Sequence, residues 1–206
     1  MPEQPTCGLV LLAAGASLRM GRPKQVLPVY GRPLVRHMAE IALAGPVSPI
    51  VVVLGAHKME VAEALRGLPL QLAVNEAWAE GMGSSLRKGV EVAVTLEPRL
   101  AGIIVALADQ PNLTTAHLER LIVTQSQTGR SVVVSESDGT LMPPVLFSAL
   151  HFPDLLAWRG DKGARLLWQS LDVAPAVVSA GAVQDIDTPA DYADFIRRQS
   201  SGQRDI

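Results

Sequence analysis

Residues Leu11-Leu12-Ala13-Ala14-Gly15-Ala16-Ser17-Leu18-Arg19-Met20-Gly21-Arg22-Pro23-Lys24 join an apolar run to a glycine-punctuated, basic loop. The run begins at Gly8 and does not alternate, as expected of a strand buried on both faces of a parallel sheet. In open α/β sheets, ligands bind beyond the carboxyl ends of the strands, so a loop placed directly after such a strand is a candidate binding loop. Gly15 and Gly21 allow close backbone approach, and successive backbone N–H groups in such a loop make an anion nest. Arg19, Arg22 and Lys24 add positive charge, Ser17 adds a hydroxyl, and Ala13 and Ala14 keep the wall low. The combination suits a polyphosphate.

Two common phosphate loops do not match. A Walker A loop has four residues between its glycines and then Lys and Ser or Thr. Here five residues separate Gly15 from Gly21, and Arg22 follows. The dinucleotide fingerprint Gly-x-Gly-x-x-Gly fails at Ser17.

Outward from the loop, short Val/Ile/Leu-rich runs recur at Ile50–Leu54, Leu70–Val74, Ile103–Ala108 and Ser131–Val134. Segments with helical spacing lie between them: Pro33–Leu43, Met59–Leu65, Ser85–Val94 and Leu118–Gln125. Alternation of strand and helix predicts an α/β fold with right-handed crossovers. Further on, Val145–Ser148 and Ala176–Ser179 read as strands, Asp161–Leu171 and Ala190–Arg198 as helices, and 199–206 as a polar tail. One domain spanning 1–206, with an ordered core over about 7–198, is the expectation for 206 residues.

Composition narrows the function. Hydrophobic residues make up 48% and charged residues 18%, enough for a core. A net charge of -2 gives no global basic excess for nucleic acid or anionic membrane. No apolar run approaches the ~20 residues of a bilayer span, and Cys7, the single cysteine, permits no internal disulfide. A cytoplasmic location is the simplest expectation. Cys7 reads as a small strand residue, and His37, His57, His117 and His151 lack metal-ligand spacing.

Two carboxylates stand out. Asp109 ends the run Ile103–Ala108 and precedes Gln110-Pro111, so it falls at the ligand end of a buried strand. A charge there is costly unless paired or metal-bound, and Thr114 or Thr115 is better placed to cap the following helix. In Asp185-Ile186-Asp187-Thr188-Pro189, Thr188 and Asp191 have capping-box spacing and Pro189 fits the first helical turn. Asp187 lies just outside, free to reach a shared metal. Such a pair suits Mg²⁺, which takes one or two carboxylates together with waters and substrate phosphates. Gly81-Met82-Gly83-Ser84-Ser85 reads as a flexible, Ser-capped lead into a helix from Leu86, suited to a nucleotide contact.

The segment Leu12–Lys24, continued through Leu27-Pro28, Gly31 and Pro33-Leu34, resembles the signature of the molybdenum-cofactor nucleotidyltransferases, and its Ala13–Ser17 start is more similar to their cytidylyltransferase branch. Leu107–Pro111 resembles the family's Asp-Gln-Pro motif and Asp185–Pro189 its late acidic motif. The resemblance implies a three-layer α/β fold with a mostly parallel sheet and a Rossmann-like nucleotide-binding half, of the nucleotide-diphospho-sugar transferase kind. It implies a nucleoside triphosphate, CTP first, bound by Ala13, Ala14, Gly15, Ser17, Gly21, Lys24, Gly83, Ser84 and Ser85. It implies Mg²⁺ held by Asp109 and Asp187, and catalytic Arg19, Lys24 and Asp109. It implies a molybdopterin-like acceptor, with Lys162 and Arg165 of Gly160–Arg165 on the acceptor side, and admits a molybdoenzyme apoprotein as partner. In one place the chain departs: Pro143 stands where such sequences have His in Gly-His-Pro, a region the resemblance puts on the acceptor side. Two alternatives remain open, a reductase of the nicotine-blue type and a non-catalytic cofactor-delivery protein.

Overall fold

A computed structural model describes residues 6–159, 168–171, 173–181 and 183–202. The chain opens with β1 (Cys7–Leu12), β2 (Pro28–Val29), β3 (Arg32–Pro33), α1 (Leu34–Leu43), β4 (Val47–Leu54), α2 (Lys58–Ala64) and β5 (Gln71–Val74). It continues with α3 (Met82–Leu96), β6 (Gly102–Leu107), α4 (Thr115–Thr128), β7 (Val132–Ser137), β8 (Thr140–Ser148), α5 (Phe152–Ala157), β9 (Ala176–Ser179) and α6 (Pro189–Gly202).

Seven strands form one sheet in the order β5-β4-β1-β6-β8-β7-β9, and β2-β3 is a separate two-stranded ribbon. All pairings in the main sheet are parallel except those of β8, which runs against both β6 and β7. The sheet is thus mostly parallel, as expected. The order reverses between β1 and β6, and crevices open at the carboxyl ends of such neighbours.

The non-alternating pattern of β1 has a direct structural cause. Leu9, Leu11 and Ala13 enter one apolar core with α1, α2, α4 and Phe195 of α6. Val10, Leu12 and Ala14 enter a second with Leu86, Val90 and Ala93 of α3 and Leu155 of α5. Every residue of β1 is therefore buried, and a fully buried Val or Leu contributes roughly 1.5–3 kcal/mol. Gly89 lets α3 approach the sheet: a Cβ there would lie 2.3 Å from Val10 Cγ1 and 2.8 Å from Val53 Cγ2.

Several boundaries differ from the sequence expectations. The runs at Ser131–Val134 and Val145–Ser148 are parts of one longer hairpin, β7–β8, joined by Asp138-Gly139. Both turn residues have positive φ, 50° and 76°, as a two-residue turn that matches the strand twist requires. The closing helix passes Arg198 and runs to Gly202, because nothing in Gln199-Ser200-Ser201 stops it and Ser200 Oγ donates to Ile196 O at 3.0 Å. The helix expected over Asp161–Leu171 lies mostly outside the described residues, as do Lys162 and Arg165. No helix among the described residues is long and apolar enough to cross a membrane.

Candidate active site

The ends of β1, β4 and β6 are stitched together where the first loop begins. Ala13 N–H donates to Val53 O at 3.0 Å, Ala108 N–H to Leu12 O at 3.1 Å, and Ala56 N–H to Ala14 O at 3.1 Å. Gly55 makes this closeness possible, since a Cβ there would stand 2.5 Å from Ala14 O and 2.8 Å from Trp78 Cβ.

From this base the loop is held by a side chain that sequence reasoning missed. Gln25 is 2% exposed; its amide donates to Gly15 O at 2.7 Å and Ala13 O at 3.2 Å, and its carbonyl accepts from Ser17 Oγ at 3.1 Å. Ser17 Oγ in turn accepts from Lys24 N–H at 3.1 Å. The Ser17 hydroxyl expected to serve phosphate is thus engaged within the loop, and Ser17 adopts a positive φ of 55°. His57 Nε2 lies 3.1 Å from Ala16 O and fastens the outer side.

Lys24 projects from this frame to the two carboxylates singled out above. Its Nζ donates to Asp109 Oδ2 and Asp187 Oδ1, each at 2.6 Å. Lys24 and Asp109 are 16% and 15% exposed, Asp187 29%. Arg19, largely in solvent, reaches Asp187 Oδ2 at 2.9 Å, so alternating charges run Arg19, Asp187, Lys24, Asp109. Burial alone would lower the Lys24 pKa, but the charges and hydrogen bonds of Asp109 and Asp187 outweigh it and the pKa is raised. Lys24 is a cation at neutral pH.

The late acidic segment is anchored between its carboxylates. Ile186 is fully buried and donates its N–H to Asp109 O at 2.9 Å. Thr188 and Asp191 form the expected reciprocal cap: Thr188 N–H to Asp191 Oδ2 at 2.7 Å, Asp191 N–H to Thr188 Oγ1 at 3.2 Å. Asp185 accepts from Gln110 Nε2 at 3.0 Å, and Gln110 also donates to Pro143 O at 3.2 Å. Burial first, then the negative charges of Asp109 and Asp187, raise the Asp185 pKa against the Gln110 hydrogen bond and the Lys24 charge. Pro143, at the position of the missing His, is buried beside this group.

Two clefts meet at Lys24. The first, about 320 Å³, is lined by Ala13, Ala14, Gly15, Lys24, Ser85 and Asp109 among others, with Trp78, Met82 and Leu107 giving an apolar wall. The second, about 340 Å³, is lined by Gly15, Ala16, Ser17, Leu18, Arg19, Lys24 and Asp187. A Cβ on Gly15 would meet no protein atom within 4 Å, so both clefts reach open backbone there.

Other expected site residues lie elsewhere. Gly21, Gly83 and Ser84 line neither cleft. Gly81 to Ser85 are not a lead-in loop. Gly81, with φ 109°, is the cap, and α3 already begins at Met82. Ser84 is buried in that first turn, 2.8 Å from Gly81 O and from Asn75 Nδ2. Arg22 leaves the loop and packs over Tyr192, 5.8 Å from the ring centroid. The histidines hydrogen-bond within the fold, His37 Nε2 lying 2.9 Å from Pro111 O and His151 Nε2 2.9 Å from Ser131 Oγ. His117 Nε2 lies 2.7 Å from Ser135 Oγ, and burial first and then Arg120 push its pKa down to about 4. Burial raises Cys7 to about 11, far from a nucleophile.

Asp109 Oδ1 is a buried oxygen with no hydrogen-bond partner. An unpartnered anionic oxygen beside a second carboxylate, at the junction of two clefts, fits a divalent cation completed by ligands from substrate and water. Among the described residues no cluster of three or more His, Cys, Asp and Glu makes a closed metal cage.

Comparison with known proteins gives this geometry its family. The model of the MobA-like NTP transferase domain matches residues 9–175. The chain belongs to the MobA-like NTP transferase family. It is 34% identical over 203 residues to the purine catabolism protein PucB of Bacillus subtilis (strain 168), covering 93% of this chain and 96% of that protein. It is 39% identical over 165 residues to the nicotine blue oxidoreductase of Paenarthrobacter nicotinovorans, covering 76% and 78%. Among solved structures, Rv0371C of Mycobacterium tuberculosis H37Rv in complex with manganese superposes with a TM-score of 0.77 at 26% identity, over 94% of this chain and 99% of that one. The fold is that of nucleotidyltransferases of the nucleotide-diphospho-sugar transferase type. This MobA-like chain is accordingly an NTP transferase, and a structural neighbour carries a divalent metal.

Proposed function

We propose that the chain transfers a cytidylyl group from CTP, with Mg²⁺, to a phosphate-bearing acceptor of the molybdopterin type and releases pyrophosphate. The observation that carries this reading is Lys24 held 2.6 Å from both Asp109 and Asp187 where the two clefts meet. It places one cation and two carboxylates at the carboxyl ends of β1 and β6.

In this reading the apolar first cleft takes the nucleoside, with Trp78 and Ser85 beside it, and the triphosphate passes Gly15 into the second. Lys24 and Arg19 neutralise the phosphate oxygens. Asp109 and Asp187 would hold Mg²⁺, which would supply charge neutralisation at the phosphate oxygens. An acceptor phosphate oxygen attacks the α-phosphorus, the bond from that phosphorus to the bridging oxygen breaks, and pyrophosphate carries away the electron pair. Gln25, Ser17 and His57 hold the loop, so the main contribution of the protein is positioning. Lys162 and Arg165 are proposed for the acceptor side.

The test is pyrophosphate release by the purified protein with each of the four nucleoside triphosphates, Mg²⁺ and molybdopterin. CTP should give release that Asp109→Asn abolishes while the protein stays folded. Identity to a protein named nicotine blue oxidoreductase favours a second reading, in which the same clefts take a reduced dinucleotide or flavin. Oxidation of NADH or NADPH by a dye acceptor, with no pyrophosphate from any triphosphate, would select it. Binding of molybdopterin with neither activity would select a delivery protein.

A further inference from the structure

Lys24 occupies the position that a cation shared by Asp109 and Asp187 would take. Both of its contacts are 2.6 Å, and with Arg19 on the outer oxygen of Asp187 the four side chains sum to zero charge. The backbone of Lys24 is fixed by Ser17 Oγ, whereas its long flexible stem lines both clefts. From one anchored Cα the ammonium can therefore exchange the carboxylates for an anion in the second cleft. The metal position, by contrast, has few protein ligands: two carboxylates, and no cluster of three or more acidic, His or Cys groups among the described residues.

We propose that Lys24 is the resident counter-ion of the metal site, and that it must pass to the nucleotide phosphates before Asp109 and Asp187 can jointly hold a divalent cation. Nucleotide binding then unlocks metal binding by drawing Lys24 away. By linkage, each ligand raises the affinity for the other beyond the metal–phosphate contact itself. The inference rests on the nucleotidyl-transfer reading for the identity of the anion, but its first test uses metal alone.

Mn²⁺ without nucleotide is titrated into the wild-type protein, Lys24→Met and Lys24→Gln, with free Mn²⁺ read by electron paramagnetic resonance and folding by circular dichroism. We expect each Lys24 variant to bind Mn²⁺ at least tenfold more tightly than wild type, and Asp109→Asn added to Lys24→Met to remove the gain. Equal or weaker binding by the Lys24 variants overturns the proposal. Should neither variant fold, the wild-type Lys24 ammonium is followed by lysine ¹⁵N NMR. Metal-free CTP should shift its signal and Mg²⁺ alone should not. A shift with Mg²⁺ alone as large as that with CTP overturns the proposal. Failure of the nucleotidyl reading looks different: no triphosphate binds wild type in calorimetry with Mn²⁺ present, whatever the metal-only titration shows.

Discussion

Replacing Gly89 by Ala sets two opposing terms against each other in the middle of α3. Glycine inside a helix is less stable than alanine by roughly 0.5–1 kcal/mol, so propensity favours the change. Packing opposes it. The new methyl would lie 2.3 Å from Val10 Cγ1 and 2.8 Å from Val53 Cγ2, about 1 Å inside ordinary contact. Valine is stiff about χ1 and cannot turn aside. Both valines belong to central strands with no exposure. The helix must therefore move off the sheet, at the ~1–3 kcal/mol typical of overpacking. Packing wins, and we expect a net loss of about 1–2 kcal/mol. In urea denaturation this appears as a lower midpoint at unchanged slope, and in thermal melts as a Tm lower by about 2–8 °C. Because Met82 and Ser85 of the same helix line the first cleft, CTP affinity should fall as well. A Gly89→Ala protein as stable as wild type, or more stable, would show that α3 is not wedged against β1 and β4, and the shape assigned to the cleft would fall with that.

Other expectations concern individual side chains. Gln25→Ala removes three hydrogen bonds from the buried floor of the loop and should cost roughly 1–3 kcal/mol with weaker CTP binding; calorimetry showing unchanged affinity would remove Gln25 as the loop's organiser. His117 is kept neutral in the fold, with a pKa near 4 against an ordinary value of about 6.5. Its contribution is complete above pH 6.5 and is lost as pH falls toward 4, by about 3 kcal/mol in all; the difference in stability between wild type and His117→Gln, followed from pH 7.5 to 4, should shrink by that order, and a pH-independent difference would contradict the assignment. Arg19→Ala should reduce CTP affinity less than Lys24→Ala, because Arg19 is 71% exposed and Lys24 16% and exposed pairs are screened; the reverse ranking in a binding titration would count against the placement of Lys24 between the clefts.

What the sequence disclosed was what local chemistry encodes. The unbroken run of β1, the glycine and basic residues after it, and Asp109 at the end of β6 each follow from a few consecutive residues. So does the Thr188–Asp191 cap. Gln25 carried no signal, because its value lies in reaching Ala13 and Gly15, ten or more positions back, once the loop has folded. The partners of Ser17 and Ser84 were hidden for the same reason: a hydroxyl looks available in sequence until the fold brings Gln25 or Asn75 to it. The start of α3 was placed late because Gly81 and Gly83, one residue apart, look like a loop, whereas only Gly81 has the positive φ that a helix entry uses. Asp138-Gly139 was readable as a hairpin turn, and joins two strands that the sequence treated separately.

The most direct measurement of the central claim is a crystal structure with a non-hydrolysable CTP analogue and Mg²⁺. We expect cytidine in the cleft beside Trp78 and Ser85, a Mg²⁺ ion touching Asp109, Asp187 and phosphate oxygens, and Lys24 Nζ on the triphosphate. Nucleotide bound away from both clefts, or bound there with Asp109 and Asp187 still paired to Lys24 and holding no metal, would contradict it.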